Sequence, residues 1–389
     1  MENGSKPKIR VAIYGSSFLG RKASGTAQTA YKLVIYMLKN HSHEVEITLL
    51  LRNENELMQA LSDATLSGCK FDVLDLINRS FLKSSRQFYR YAFKHRKSIK
   101  FDVLHFSVPR VYPFFYFFPS ETFTATFHAG GDVTSPADKF VFSRHIYNLI
   151  IKLQWKRFNA IVSDSKFATN EITQAYGVPK KCITKIYLGA DNFWEMSNSN
   201  LEKNTKLILV IGRWQRYKNV HTALDAISEI NLADGTGFEV VLIGKSNQLG
   251  KQLIENSISN FYGKLHVIDY CTEQEMKELY NLAQIVIHPS LNEGFGLPAF
   301  EAFGEGNVLI AHQGTPADEL LGEFRGVVIE NLIDKTGVIK ALNSIKTGLM
   351  IDEKERRDYL KSIGATWSQM TINYVTLFKS ILNHAQHKN

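Results

Sequence analysis

Short aliphatic runs recur along the chain, and stretches with apolar residues at helical spacing lie between them. Arg10–Tyr14, Glu46–Leu51, Val103–Phe106, Phe123–Phe127 and Ala160–Ser163 are short and apolar enough to read as buried strands. A second series follows at Leu207–Ile211, Glu239–Ile243, Leu265–Ile268, Ile285–His288 and Val308–Ala311. Thr26–Leu38, Val220–Ile230 and Glu273–Leu282 carry the 3.6-residue period of helices. Near-continuous apolar strands alternating with helices predict an α/β chain of parallel sheets covered on both faces. Glu195–Lys206 is polar and reads as a linker, giving expected domains at 1–194 and 195–365. Two consecutive Rossmann-like halves place ligands at the carboxyl ends of their strands.

Composition narrows the function classes. A chain of 389 residues suits two domains better than one core. Hydrophobic content of 44% with 22% charged residues is that of a soluble globular protein. The longest apolar run, Val111–Pro119, is far short of the ~20 residues that span a bilayer. Lys6, Lys8 and Arg10 lead straight into the first strand, with no apolar signal region. Cys69, Cys182 and Cys271 lack metal-ligand spacing and read as reduced thiols in a cytoplasm. The formal charge of +8 points to nucleic acid, an anionic membrane surface or an anionic substrate. No zinc-finger, RRM or helix-turn-helix signature supports nucleic acid.

The chemistry concentrates in residues 286–303, which run from a strand through a glycine-loosened loop into a helix read from Pro298. Gly294 and Gly296 let the backbone approach a ligand, and the free N–H groups of the helix start point at it. Glu293 and Glu301 flank that loop. Carboxylates repel phosphate but accept hydrogen bonds from sugar hydroxyls, so the segment suits a polyol carrying phosphate elsewhere. Gly212-Arg213 ends the first strand of the second series, and Lys218 follows five residues later. Two cations there would stabilise charge developing on a leaving phosphate.

Glu293 and Glu301, seven residues apart around Gly-Phe-Gly-Leu-Pro, resemble the Glu-x7-Glu signature of retaining GT-B glycosyltransferases (glycosyl transferases group 1). The resemblance implies the GT-B fold, two Rossmann-like domains facing a central cleft. The first domain would bind the acceptor and the second the nucleotide-sugar donor. A last helix, here Thr366–Leu382 within 366–385, would pack back on the first domain. Carried over, Glu301 would bind the ribose. Glu293, Gly294 and the backbone of Phe295, Gly296 and Leu297 would hold the donor sugar. Arg213 and Lys218 would bind the diphosphate, with Gly212 and Gly244 at strand ends close to the nucleotide. Tyr270 and Cys271 would meet the base, although Asp269 stands where relatives usually have glycine.

In the first half, His128 after a strand matches a family histidine that reaches the donor sugar, while a lone histidine at such a place is equally read as structural. Gly130-Gly131 favours close approach, and Asp132 is a weaker candidate. Ser165-Lys166 resembles a family turn facing the donor, and Tyr187-Leu-Gly-Ala-Asp191 an element ending the first domain. Gly15–Lys22 looks like a P-loop but fails in detail, since Arg21 precedes the lysine and Ala23 follows it. No Asp-x-Asp occurs, and Asp72 and Asp75 are separated by two residues. No metal is expected, and no cofactor beyond the nucleotide-sugar substrate.

Residues 81–97 raise a separate question. Lys83, Arg86, Arg90, Lys94 and Lys97 fall on one helical stripe beside an arc of Phe81, Leu82, Phe88, Tyr89, Ala92 and Phe93. Two readings stand. One is an interfacial helix on anionic membrane, the other an ordinary helix with its arc on the core and its cations in water. The function expected is retaining hexosyl transfer to a glycan or lipid-linked acceptor, in surface polysaccharide or glycolipid synthesis. The protein would be cytoplasmic and peripheral on the inner membrane face. The rivals are a nucleotide-sugar epimerase on the same fold and a non-catalytic partner subunit.

Overall fold

A computed structural model describes residues 7–14, 25–76, 81–97, 101–108, 111–128, 142–196, 202–245, 251–345 and 351–387. It contains two parallel sheets, each within its own compact unit. The first unit holds β1 (Ile9–Tyr14), β2 (Val45–Leu51), β3 (Lys70–Val73), β4 (Phe101–Phe106), β5 (Ser120–Phe127), β6 (Ala160–Ser163) and β7 (Ile183–Lys185). Their order is β3-β2-β1-β4-β5-β6-β7. The second holds β8 (Asn204–Ile211), β9 (Glu239–Ile243), β10 (Leu265–Ile268), β11 (Ala283–His288), β12 (Val308–His312) and β13 (Val327–Glu330), ordered β10-β9-β8-β11-β12-β13.

The central strands form where the sequence is continuously apolar, because both their faces are covered. Val11, Ala12 and Ile13 of β1 are buried, as are Ile208, Leu209 and Val210 of β8 and Val286 and Ile287 of β11. The second core packs these strands under Ala223, Leu224 and Ile227 of the Val220–Asp234 helix. The C-terminal helix Trp367–Gln386 groups with the first unit, against the Gly25–His41 helix. Asn40 donates to Ser368 Oγ at 2.8 Å, and Thr126 Oγ1 meets the Tyr374 hydroxyl at 2.5 Å.

Several boundaries differ from the sequence reading. β8 begins at Asn204, inside the stretch read as linker, because its polar start pairs with Ala283 at the start of β11. The edge strands β3 and β13 and the short β7 escaped notice, since β3 and β7 lack an apolar run and that of β13 is only three residues long. The arc on the Phe81–His95 helix divides. Phe88 and Ala92 enter the core, whereas Leu82 and Phe93 stand in solvent among the cations. Among the described residues no helix is long and apolar enough to cross a membrane.

Candidate functional site

Strand order fixes where the second domain can bind a ligand. From β8 the chain winds outward to β9 and β10, then returns to β11 and winds the other way. The loops after β8 and β11 therefore part at the carboxyl edge, leaving a crevice at the switch point. Those loops carry Gly212–Lys218 and Pro289–Gly296. The Leu291 N–H donates to the Tyr217 carbonyl at 2.9 Å and ties them together.

Lys218 Nζ donates to Glu293 Oε1 in a short, largely buried ion pair. His288, at the end of β11, brings Nε2 to 3.0 Å from the same oxygen, out of line for a hydrogen bond. Burial pushes the Glu293 carboxyl up, but Lys218 and then His288 outweigh it and hold it well below the usual carboxylate range. Arg213 is half-buried and has no ion-pair partner among the described residues. An arriving diphosphate can compete for Lys218 and release a Glu293 oxygen for hydroxyl groups.

The Leu297–Gly304 helix starts one residue earlier than read, with Pro298 in its first turn. Gly296 caps it at φ 84°, a conformation that favours glycine. A Cβ there would lie 3.4 Å from His288 Nε2 and 3.5 Å from Glu293 Cγ, pressing on the charge cluster. Phe295 stacks on Phe300 with centroids 4.1 Å apart, which anchors the loop.

Glu301 projects from the same helix and is buried. Asn192 Nδ2 donates to its Oε1 at 2.7 Å, and the Tyr280 hydroxyl to its Oε2 at 3.2 Å. Burial, and next the charge of Glu301, raise the Tyr280 phenol well above its ordinary pKa, so it stays a donor. Two donors thus orient the carboxylate. Gly212 and Gly244 have a tighter role than access. A Cβ on Gly244, at φ 158°, would overlap the Gly212 carbonyl at 2.0 Å, so the close approach is of one strand end to another. Tyr270 is exposed, and burial raises the Cys271 thiol, beside Glu275.

In the first domain, His128 follows β5 and is buried. Its Nδ1 lies 2.6 Å from Asp164 Oδ2 and its Nε2 3.0 Å from the Ser107 carbonyl. Both nitrogens face acceptors, so the ring donates from both only as the imidazolium. Ser165 spends its hydroxyl on capping the Lys166–Tyr176 helix, accepting from the Ala168 N–H at 2.9 Å. Gly15–Lys22, Gly130, Gly131 and Asp132 lie outside the described residues.

The structure thus brings Lys218, Glu293 and Gly296 together and sets Arg213, Glu301 and Tyr270 on the same sheet edge. Sequence reasoning missed His288, Asn192, Tyr280 and Asp164. His288 precedes the Pro-Ser of the glutamate motif, Asn192 follows Tyr187–Asp191, and Asp164 adjoins Ser165. Tyr280 carries no local signal.

Residues 192–364 match the sequence model of the family described as glycosyl transferases group 1. Among curated proteins, the serotype-specific mannosyltransferase WbdA of Escherichia coli is 24% identical over 183 residues, 43% of this chain and 22% of that protein. O-antigen chain mannosyltransferase B of Escherichia coli is 22% identical over 231 residues, 56% of this chain and 60% of its own length. The D-inositol 3-phosphate glycosyltransferase of Corynebacterium diphtheriae is 26% identical over 188 residues, 44% of each chain. The chain thus spans less than two thirds of the curated relatives it matches. Among solved structures, sucrose-phosphate synthase from Thermosynechococcus elongatus superposes with a TM-score of 0.74 at 14% identity, covering 97% of this chain and 100% of that one. Anabaena HepE in complex with UDP and glucose gives 0.65 at 12%, covering 98% and 99%. Two parallel-sheet α/β domains with these neighbours make the fold GT-B.

Proposed function

We propose that the protein is a retaining glycosyltransferase that moves a hexosyl unit from a nucleotide-diphosphate sugar to an acceptor hydroxyl. The observation that carries this reading is the convergence of Lys218, Glu293 and the Gly296 turn at the switch point of the second sheet. Arg213 and Lys218 take up the charge that grows on the leaving diphosphate. Glu293, with the loop amides, holds the sugar hydroxyls, and Glu301, aimed by Asn192 and Tyr280, holds the ribose. The bond from the anomeric carbon to the phosphate oxygen breaks while the acceptor oxygen bonds to that carbon on the same face. The acceptor proton passes to the departing phosphate. We assign His128 and Ser165 to the donor sugar and Tyr270 and Cys271 to the base, as the family resemblance implies.

The relatives that act as mannosyltransferases, and the UDP and glucose bound in a structural neighbour, put activated mannose and UDP-glucose first in a donor panel. The acceptor fits a lipid-linked or surface glycan intermediate, reached from the cytoplasmic membrane face through residues 81–97. No metal is required in this scheme, since Arg213 and Lys218 supply the positive charge. The test is release of nucleoside diphosphate from a donor panel, with and without acceptor, and the anomeric configuration of the product. Glycoside with retained configuration is expected. Donor interconversion without transfer would make the protein an epimerase, and no turnover with any donor a non-catalytic subunit.

A further inference from the structure

Leu82 and Phe93 stand out of the core on the Phe81–His95 helix, and they have company. Phe114 and Phe117, around the 3-10 turn Phe115–Phe117, and Leu149 and Leu153, on the Phe142–Gln154 helix, are each more than half exposed. Phe117 is 67% exposed and Leu153 73%, where an isolated soluble domain gains nothing from them.

These elements are neighbours. The Phe81–His95 helix packs Phe88 and Tyr91 on Phe118, with centroids 5.1 and 5.6 Å apart. On the other side, the Phe114 N–H donates to Gln154 Oε1 at 2.9 Å and Phe115 stacks on Phe158 at 4.5 Å. The connectivity sets them at one edge. The helix, the 3-10 turn and the second helix lead directly into β4, β5 and β6, so their C-terminal ends share the edge where those strands begin. His128 and Ser165 occupy the opposite edge.

The charge there is one-sided. Residues 81–100, 107–119 and 142–158 contain no Asp or Glu. Arg86, Arg90 and Lys94 are exposed beside Phe93, and Lys152 and Lys156 beside Leu153. The Arg157 guanidinium lies 4.7 Å over the Tyr116 ring and that of Arg96 4.0 Å over Phe93. The nearest carboxylates on these strands are Asp102, paired with Arg10 at 2.7 Å, and Glu121, whose charge also acts on Arg10. Phe114 adds a backbone sign. It holds φ 55°, a left-handed conformation unfavourable for an aromatic residue, yet leaves its ring exposed.

We infer that this edge of the first domain docks on an anionic lipid bilayer, with Phe93, Phe114, Phe117 and Leu153 entering the headgroup boundary and the flanking lysines and arginines meeting acidic lipid. The inference rests on the membrane reading of residues 81–97 and widens it from one helix to three elements. Asp72 of β3 accepts from the Tyr91 hydroxyl on the inner side of the helix, and the exposed apolar side chains are ringed by cations, which is what such an interface takes up. A protein partner would have to be acidic and apolar at once over the same area.

The test is flotation of the full-length protein with vesicles of phosphatidylcholine alone or with about one third phosphatidylglycerol, a mixture that gives an anionic surface. Binding to the anionic vesicles and release by salt are expected. F114S/F117S and L149S/L153S should each weaken binding about tenfold or more, and R86S/R90S/K94S about a hundredfold. Thermal melting and transfer to a soluble acceptor analogue should stay unchanged in all three. If only the arginine and lysine changes matter, the Phe81–His95 helix docks alone and the wider surface is wrong. If the wild type ignores anionic vesicles, or the same substitutions instead dissolve a dimer in sedimentation velocity, the edge is not a membrane interface. Donor turnover is read separately, so failure here leaves the glycosyltransferase reading intact.

Discussion

The two sheets share a doubly wound topology and differ in what stands at their carboxyl edges. In the second domain, Lys218 and Glu293 form an ion pair that a ligand can exchange, with Arg213 without an ion-pair partner among the described residues. In the first, the Ser107 N–H donates to the Tyr14 carbonyl at 3.0 Å where β1 and β4 end. His128 there is held between Asp164 and the Ser107 carbonyl. One edge is an open set of charges, the other a locked hydrogen-bond network. The second domain's Arg213, Lys218, Glu293 and Glu301 also come from two short segments, whereas the first gathers residues 107, 128 and 164. Chemistry compressed into a segment is what a family sequence model can match, and the match at 192–364 covers that domain.

The comparison breaks most sharply at the cations. Lys218→Ala or Arg213→Ala should cut turnover by about a hundredfold or more, the scale of losing one preorganised charge stabiliser. Circular dichroism and melting should be near wild type for Arg213→Ala. If both variants turn over normally, the second domain's edge is not the site of bond breaking. Added chelator should leave wild-type turnover as it was.

The glutamates come next. Glu293→Ala should depress kcat, because its partner sugar carries the developing charge. Glu301→Ala should chiefly weaken nucleoside diphosphate binding, a contact made equally in ground and transition states. Asn192→Ala and Tyr280→Phe should copy Glu301→Ala at about tenfold, since each removes one hydrogen bond to a carboxylate. Calorimetry with the nucleoside diphosphate alone checks this. Loss of affinity in Glu293→Ala with none in Glu301→Ala would reverse the two roles.

These side chains also show what sequence could and could not tell. β1, β8 and β11 were legible because burial on both faces demands unbroken aliphatic residues, and Glu293 and Glu301 because one loop and one helix carry both. Asn192 reaches Glu301 across 109 positions, and Tyr280 looks like any helical tyrosine until the fold turns it inward. The Phe81–His95 arc failed for another reason. Helical periodicity tells which residues share a face, but not which of them a neighbouring loop covers, as Phe118 covers Phe88.

A smaller effect separates the domains in kinetics. His128→Ala, by removing the ring, and Asp164→Asn, by loosening its position, should both lower turnover roughly tenfold. Neither should change nucleoside diphosphate affinity, because the proposed function assigns that ligand to the second domain. If Asp164→Asn is silent while His128→Ala is not, the carboxylate merely fills space. If either weakens nucleotide binding as much as Glu301→Ala does, the division of labour between the domains fails.

The smallest difference lies in how each domain answers to acid. His105 is fully buried against Thr124, and burial, reinforced by His128, lowers its imidazole to about 3. The unfolded chain would protonate it near 6.5, so between about 3 and 6.5 the unfolded state holds one proton more. Stability of the first domain therefore rises with pH across that window, by up to about 1.4 kcal/mol per unit, and is flat above it. In the second domain burial lowers His221 and His312 too, but Asp225 and Asp318 oppose it. Glu293, with its folded pKa depressed, adds stability that is lost only as pH falls below the ordinary carboxylate range. Calorimetric melting from pH 7 to pH 5 should move the first-domain transition down more steeply than the second. The second transition is recognised by its upward shift with nucleoside diphosphate. His105→Gln should flatten the first-domain slope while leaving the second in place. Parallel slopes for the two transitions, or a His105→Gln variant with the wild-type slope, would mean that this buried imidazole does not set the difference.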